Sequence, residues 1–245
     1  MSTHATAFKQ WTESDLERLP VERDVRLRGL EVTRLDTFID AAFAFVLTLL
    51  VISFDQIPSN FDEMLVAIKR IPGFFASFCL LMMFWLSHRQ WSRRYGLESS
   101  RTVFLSLAVI FMVLVYVYPL RMMFEAMFAS ISNGYFTSDL QLKNTSEVGG
   151  MFLFYSIGFG VMALLNCDLY RNALINKDAL SLNQDEIFAT KLDITNWFIV
   201  AIFSLVSITI ALTVRGGLVA LAGYVYFLLF VALPLASWIQ LTRRK

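Results

Sequence analysis

The 245 residues are too apolar for an ordinary soluble domain, because 57% are hydrophobic, 17% are charged and the mean hydropathy is +0.59. The formal net charge of +1 gives no indication of a nucleic-acid partner or an acidic partner. The composition therefore predicts an all-α integral membrane protein that is surrounded by the lipid bilayer.

The chain divides into a charged amino-terminal segment, a helical membrane domain and a short basic tail. Residues 1–33 alternate acidic and basic side chains and contain no apolar run like a signal peptide, so no cleavage is expected. Residues 34–242 form the predicted membrane domain, and residues 243–245 form a basic tail.

Six segments of the middle region are candidates for crossing a membrane, which takes about 20 apolar residues as a helix. Five of them contain no Asp, Glu, Lys or Arg over 18 to 27 residues, whereas the first carries Asp36 and Asp40 near its start. The predicted helices cover about 35–54, 71–90, 102–120, 149–169, 195–214 and 217–240.

The basic residues between these segments predict the orientation of the chain. Lys and Arg number 16 in the segments on one side of the membrane and 5 in those on the other. Because the side richer in Lys and Arg normally faces the cytoplasm, both termini are predicted to be cytoplasmic. We expect a multi-pass protein of the inner or plasma membrane.

Asp40 is the most informative residue of the first predicted helix. An acidic side chain inside a membrane helix is costly and is normally retained where it faces protein or water and has a partner. Arg34 lies about 240° from Asp40 around an ideal helix, so the two cannot easily pair with each other. Their partners are expected on other helices or other subunits.

An apolar stripe runs along the same helix. Thr48, Ala41, Ile52 and Phe45 lie at about 80°, 100°, 120° and 140° from Asp40. Periodicity alone favours simple helix packing for such a stripe. The alternative is a pore surface that combines a hydrophobic constriction with a polar ring.

The start of this helix resembles the signature of one family. Residues 34–40 read Arg-Leu-Asp-Thr-Phe-Ile-Asp, and an Ala-Phe-Ala-Phe-x-Leu-Thr-Leu-Leu run follows. This pattern is similar to that of the endolysosomal potassium channel family, transmembrane protein 175, whose first helix opens with Arg-x-x-x-Phe-Ser-Asp. Weaker matches are Trp-Leu-Ser-His-Arg at 85–89 and Tyr-Pro at 118–119, the latter closing the third predicted helix.

The resemblance implies six helices per chain, a homotetramer, and a central pore lined by the first helix. Taken with the stripe, it implies the following residues at or near the pore: Ala41, Phe45, Thr48, Leu49 and Ile52. It further implies that four residues hold the first helix in place: Arg34, Phe38, Asp40 and His88. Two departures stand out, because Ile39 replaces the serine of the motif and Phe45 stands where an aliphatic residue is usual.

His88 has two interpretations. A single histidine at the cytoplasmic end of a helix is usually an interfacial residue. Because imidazole titrates near neutral pH, a proton-sensitive bond between His88 and Asp40 is the alternative hypothesis.

The sequence lacks the common signatures of catalysis. It contains no Gly-x-x-x-x-Gly-Lys loop, no His-Glu-x-x-His and no Cys-x-x-Cys, and only two histidines in all. We therefore expect no enzyme, no cofactor and no bound metal other than transient potassium ions.

The preferred function is a potassium-selective or potassium-preferring channel that conducts cations passively through a hydrophobic constriction. The first alternative is a proton-coupled secondary transporter with Asp40 as the proton site. Carriers often show repeated halves and broken helices, and neither is clear in this sequence. The second alternative is a non-conducting membrane scaffold whose charged amino-terminal segment recruits a soluble partner.

Overall fold

The computed structural model describes residues 11–52, 58–140 and 142–244, and the chain in these ranges is mostly helical. The α-helices of these ranges are α1 Glu13–Glu17, α2 Arg34–Ile52, α3 Phe61–Lys69, α4 Ile71–Tyr95, α5 Ser100–Ile131, α6 Thr145–Ile175, α7 Gln184–Thr213, α8 Leu221–Tyr224 and α9 Leu229–Arg244. Two 3-10 helices, Gly216–Ala220 and Val225–Leu228, flank α8, and the short strands β1 Val21–Glu22 and β2 Val25–Arg26 form an antiparallel hairpin.

Within the described ranges, five helical stretches are long and apolar enough to cross a membrane. They are Phe61–Tyr95, Ser100–Ile131, Thr145–Ile175, Gln184–Thr213 and Gly216–Thr242. The chain is therefore a multi-pass membrane protein. Helix α2 is not among the five, and its first turns carry three charged residues, Arg34, Asp36 and Asp40.

Several helices extend well beyond the uncharged segments of the sequence. Helix α5 continues through Pro119 to Ile131, so the expectation that Tyr118 and Pro119 close it is wrong. A proline is tolerated inside a membrane helix because neighbouring groups satisfy the backbone that it frees. Helix α7 begins at Gln184, ten residues before its uncharged part, because Asn183 and Glu186 form a reciprocal capping box.

Helix α2 packs against α4 and α5 on one side only. Its buried side chains are those of Ile39, Phe43, Val46 and Leu50. The other helices form the rest of the bundle, with α6 and α7 packed along each other and α9 against α7.

The β1–β2 hairpin is part of the folded core and is not a free arm. Val25, Leu27 and Arg28 are all buried. Both terminal nitrogens of Arg28 donate to the Glu186 carboxylate at 2.9 Å, and its Nε donates to the Leu180 carbonyl at 2.8 Å. The amino-terminal segment is thereby anchored to the start of α7.

Gly158 provides a test of how closely α5 and α6 pack. The Tyr116 ring lies directly over Gly158, and a Cβ at this position would be 1.5 Å from Tyr116 Cζ. Tyr116 also donates to the Phe154 carbonyl at 2.6 Å, so the ring cannot move without loss of that bond. We expect Gly158→Ala to lower the free energy of unfolding by about 1–3 kcal/mol, measured by thermal denaturation in detergent.

Gly150 is the matched control for this change, since nothing lies within 4 Å of a Cβ built there. Gly150→Ala should leave the thermal midpoint unchanged or slightly raised. Equal midpoints for the two variants would show that the Tyr116 ring is not held against α6.

Candidate pore-lining surface

Helix α2 has an exposed face and a buried face on opposite sides. The exposed residues are Arg34, Thr37, Phe38, Asp40, Ala41, Ala44, Phe45, Thr48 and Val51. With Asp40 as zero on an ideal helix, these positions fall between about 0° and 160°, and the buried residues fall between about 240° and 300°. Thr48, at about 80°, is at the centre of the exposed arc.

The residues predicted to line a pore lie mainly on this exposed arc. Ala41 and Thr48 are exposed, and 57% of the Phe45 surface is accessible in the single chain. Leu49 lies at the border, since it is half-buried against the hydrophobic core. The side chain of Ile52 lies outside the described residues.

The exposed arc contains a seam of small side chains. Thr37, Ala41, Ala44, Thr48 and Val51 are all exposed and follow one another at spacings of four, three, four and three residues. This 3.5-residue period keeps one line of a helix facing a common axis. Small side chains on such a line let helices approach closely inside a membrane.

The Thr48 hydroxyl is held in place by its own helix. It donates a hydrogen bond to the Ala44 carbonyl at 3.0 Å. This bond uses the proton of the hydroxyl, so the lone pairs of the exposed oxygen remain as acceptors. The exposed arc thus presents an oxygen ligand suitable for a cation at its centre.

The first turn of α2 is fixed by Asp36, whose partners the sequence did not predict. The Thr33 backbone N–H donates to the Asp36 carboxylate at 3.1 Å, and the Asp36 N–H donates to the Thr33 hydroxyl at 3.1 Å. The Ser92 hydroxyl of α4 also donates to Asp36, at 2.5 Å. The Thr-x-x-Asp spacing was the signal for this capping box.

Asp40 is tied to α4 by Trp85. The indole Nε1 of Trp85 donates to Asp40 Oδ1 at 2.7 Å, and the Arg89 guanidinium lies 5.3 Å from the centroid of the Trp85 ring. The partner of Asp40 is therefore on another helix, as expected from the helical geometry.

His88 does not bond to Asp40, so the hypothesis of that bond is wrong. Its Nε2 lies 2.9 Å from the Ser106 hydroxyl, and its side chain is 3% exposed. The usual interpretation as an interfacial residue is also wrong, because His88 lies in the core between α4 and α5. Its contacts join those two helices to each other.

Arg34 and Phe38 lie on the exposed arc of the single chain, with 55% of the Phe38 surface accessible. That these two side chains hold α2 in place stays a prediction. Among the residues that the structure describes, there is no group of three His, Cys, Asp or Glu side chains that could hold a metal ion.

Comparisons with known proteins identify the family. A family model described as the endosomal/lysosomal potassium channel TMEM175 matches residues 34–119, from the start of α2 into α5. A protein named "Potassium channel" from Marivirga tractuosa is 34% identical over 211 residues, which cover 82% of this chain and 84% of that protein. The chain also resembles a crystal structure of the potassium channel MtTMEM175, solved as a threonine-to-alanine variant with a nanobody–MBP fusion. The two sequences are 28% identical and the TM-score is 0.78. The match covers 92% of this chain and 99% of that chain. The resemblance of residues 34–40 is thus confirmed, and the chain belongs to the TMEM175 family of endosomal/lysosomal potassium channels.

Proposed function

We propose that the chain is the subunit of a passive potassium channel, in which four copies of α2 surround a central axis in the inner or plasma membrane. The observation that carries this proposal is the exposed arc of α2, which is centred on Thr48 and lies opposite the buried stripe. Family membership supports potassium as the permeant ion. The relatives are named as channels and not as enzymes.

The chemistry of the exposed arc favours a shared axis over contact with lipid. The arc carries two charged side chains, Arg34 and Asp40, and two hydroxyls, Thr37 and Thr48. Charged side chains in membrane helices normally face protein or water. An assembly that encloses this arc would therefore let α2 cross the membrane as a sixth span, although its composition differs from that of the other five.

Phe45 and Thr48 would then form two successive rings along the pore. Four Phe45 side chains would make a hydrophobic constriction that excludes water when they close. Thr48 lies three residues further along, at a rise of about 4.5 Å, and would offer four hydroxyl oxygens to a partly dehydrated cation. We infer that Ala41, Leu49 and Ile52 line the approaches to these rings.

The proposed orientation, with both termini in the cytoplasm, is supported by the position of Arg121. Arg121 follows an uncharged stretch and is predicted from the sequence to lie in a loop on the side poor in Lys and Arg. The residue is instead buried inside the bundle, only 3% exposed. Without Arg121, the contrast in Lys and Arg between the two sides becomes larger.

Reconstitution tests the proposal directly. Liposomes with the purified protein, a potassium gradient and a proton ionophore should take up a cationic dye, which protein-free liposomes should not do. The assembly should have four times the chain mass of 28.0 kDa after the detergent contribution is subtracted. A folded assembly of four chains without dye uptake would contradict the channel proposal. Flux that requires a proton gradient and is lost in Asp40→Asn would favour the transporter.

A further inference from the structure

A buried ion pair lies beside the end of α2. Arg121 and Glu125, one turn apart on α5, are each less than 5% exposed. Arg121 Nε donates to Glu125 Oε1 at 2.8 Å, and Arg121 Nη1 donates to the Leu50 carbonyl of α2 at 3.1 Å. The guanidinium therefore bridges a carboxylate of α5 and the backbone of α2.

The bond to Leu50 restrains α2 directly. Leu50 is buried, and the guanidinium that donates to its carbonyl is buried as well. In a membrane, where water is scarce, such a bond limits the movement of the carbonyl that accepts it.

The bridge has a rigid support on α4. Gly73 packs so closely on α5 that a Cβ there would be 2.7 Å from Glu125 Cγ and 2.8 Å from the Glu125 backbone nitrogen. Glu125 is thus confined by α4, and its carboxylate accepts a hydrogen bond from Arg121. The contact with α2 does not depend on a mobile surface side chain.

We propose that Arg121 is a positioning residue that fixes the rotation of the carboxyl end of α2 and thereby the geometry of the pore at Thr48. This inference rests on the proposed channel function. Leu50 belongs to the buried stripe and is only two residues from Thr48, which faces the opposite side of the helix. A rotation of about 20° would move a side-chain atom about 5–6 Å from the helix axis by about 2 Å, enough to alter a ring of cation ligands.

Two variants of Arg121 and one control pair test the proposal. Arg121→Gln combined with Glu125→Gln removes both charges and shortens the side chain, so that it no longer reaches Leu50. Arg121→Lys retains the charge but lacks the planar guanidinium, which donates to both the Glu125 carboxylate and the Leu50 carbonyl. The control is Arg94→Gln combined with Asp193→Asn, which neutralises the 2.6 Å ion pair between α4 and α7 and leaves α2 untouched.

The readouts are the potassium-to-sodium permeability ratio from reversal potentials, and the mobility of a spin label on Val51→Cys at the exposed face of α2. We expect both Arg121 variants to assemble, to change the permeability ratio by about threefold or more and to alter the label spectrum. The control pair should lower the thermal midpoint without changing either readout.

Other outcomes would contradict either the proposed role of Arg121 or the channel proposal. Unchanged ratio and spectrum in assembled Arg121 variants would overturn the proposal. Failure of both Arg121 variants to assemble, with the control pair intact, would assign Arg121 to folding alone and also overturn it. If the unmodified chain does not conduct, the channel proposal fails, and the label spectrum still reports whether Arg121 sets the orientation of α2.

Discussion

Phe45→Ala should raise the basal potassium flux of reconstituted channels by about tenfold or more, because lowering a dewetting barrier by about 1.4 kcal/mol is sufficient for that increase. Phe45 carries the largest exposed side chain within one turn of Thr48, and in the proposed tetramer its replacement would leave four methyl groups in place of four rings. The measurement is the initial rate of dye uptake at a fixed potassium gradient and a fixed amount of assembled protein.

Phe104→Ala is the matched control, because Phe104 is also highly exposed, at 70%, but lies on α5. The flux of this variant should equal that of the unmodified channel. Equal rates for all three proteins would remove Phe45 from the constriction and would place the barrier elsewhere on the exposed arc.

Arg28→Ala should destabilise the folded chain by about 3–5 kcal/mol, because it leaves the carboxylate of Glu186 buried without its main partner. The side chains of both residues have no exposed surface. The loss should appear as a lower thermal midpoint in detergent and as a smaller yield of folded protein. The effect is on folding and not on conduction, since neither residue lies on α2.

Arg26→Ala provides the comparison. The Arg26 side chain is 29% exposed and lies 3.7 Å from the same carboxylate, so its removal should cost less than about 1 kcal/mol. Arg28→Gln combined with Glu186→Gln should recover part of the stability lost in Arg28→Ala, because no unpaired charge remains. Equal losses for Arg26→Ala and Arg28→Ala would mean that the hairpin is not docked as described.

The membrane class of the fold could be predicted from the sequence, because bilayer insertion depends on local composition. Five uncharged stretches predicted the five apolar spans, and the motif at the start of α2 predicted the family. The lengths of α5 and α7 could not be predicted in the same way. A helix end depends on caps and on contacts beyond the bilayer, such as those of Asn183 and Glu186.

Which polar residues contact each other could not be predicted from the sequence either. Arg121 follows an uncharged stretch and therefore has the pattern of a loop residue, yet it bonds to Leu50, 71 residues earlier in the chain. The partner of Arg28 is 158 residues away. Such contacts follow from how the helices pack, and hydropathy along one segment carries no information on them.

The exposed arc of α2 was accessible to sequence reasoning only in part. The angular positions of its residues could be derived from the sequence, with Asp40 as zero. The choice between helix packing and a pore surface could not, because it depends on which face of α2 is buried. Once Ile39, Val46 and Leu50 are placed in the core, the side of Thr48 faces away from the other helices that the structure describes.

The docked hairpin determines where the chain can be shortened or fused to another protein. Removal of residues 1–28 would take away Arg28 and leave the buried Glu186 carboxylate without its main partner, so loss of function in such a truncation would not reveal a recruitment role for the amino-terminal segment. Purification tags and fluorescent reporters should be joined ahead of residue 20, upstream of β1.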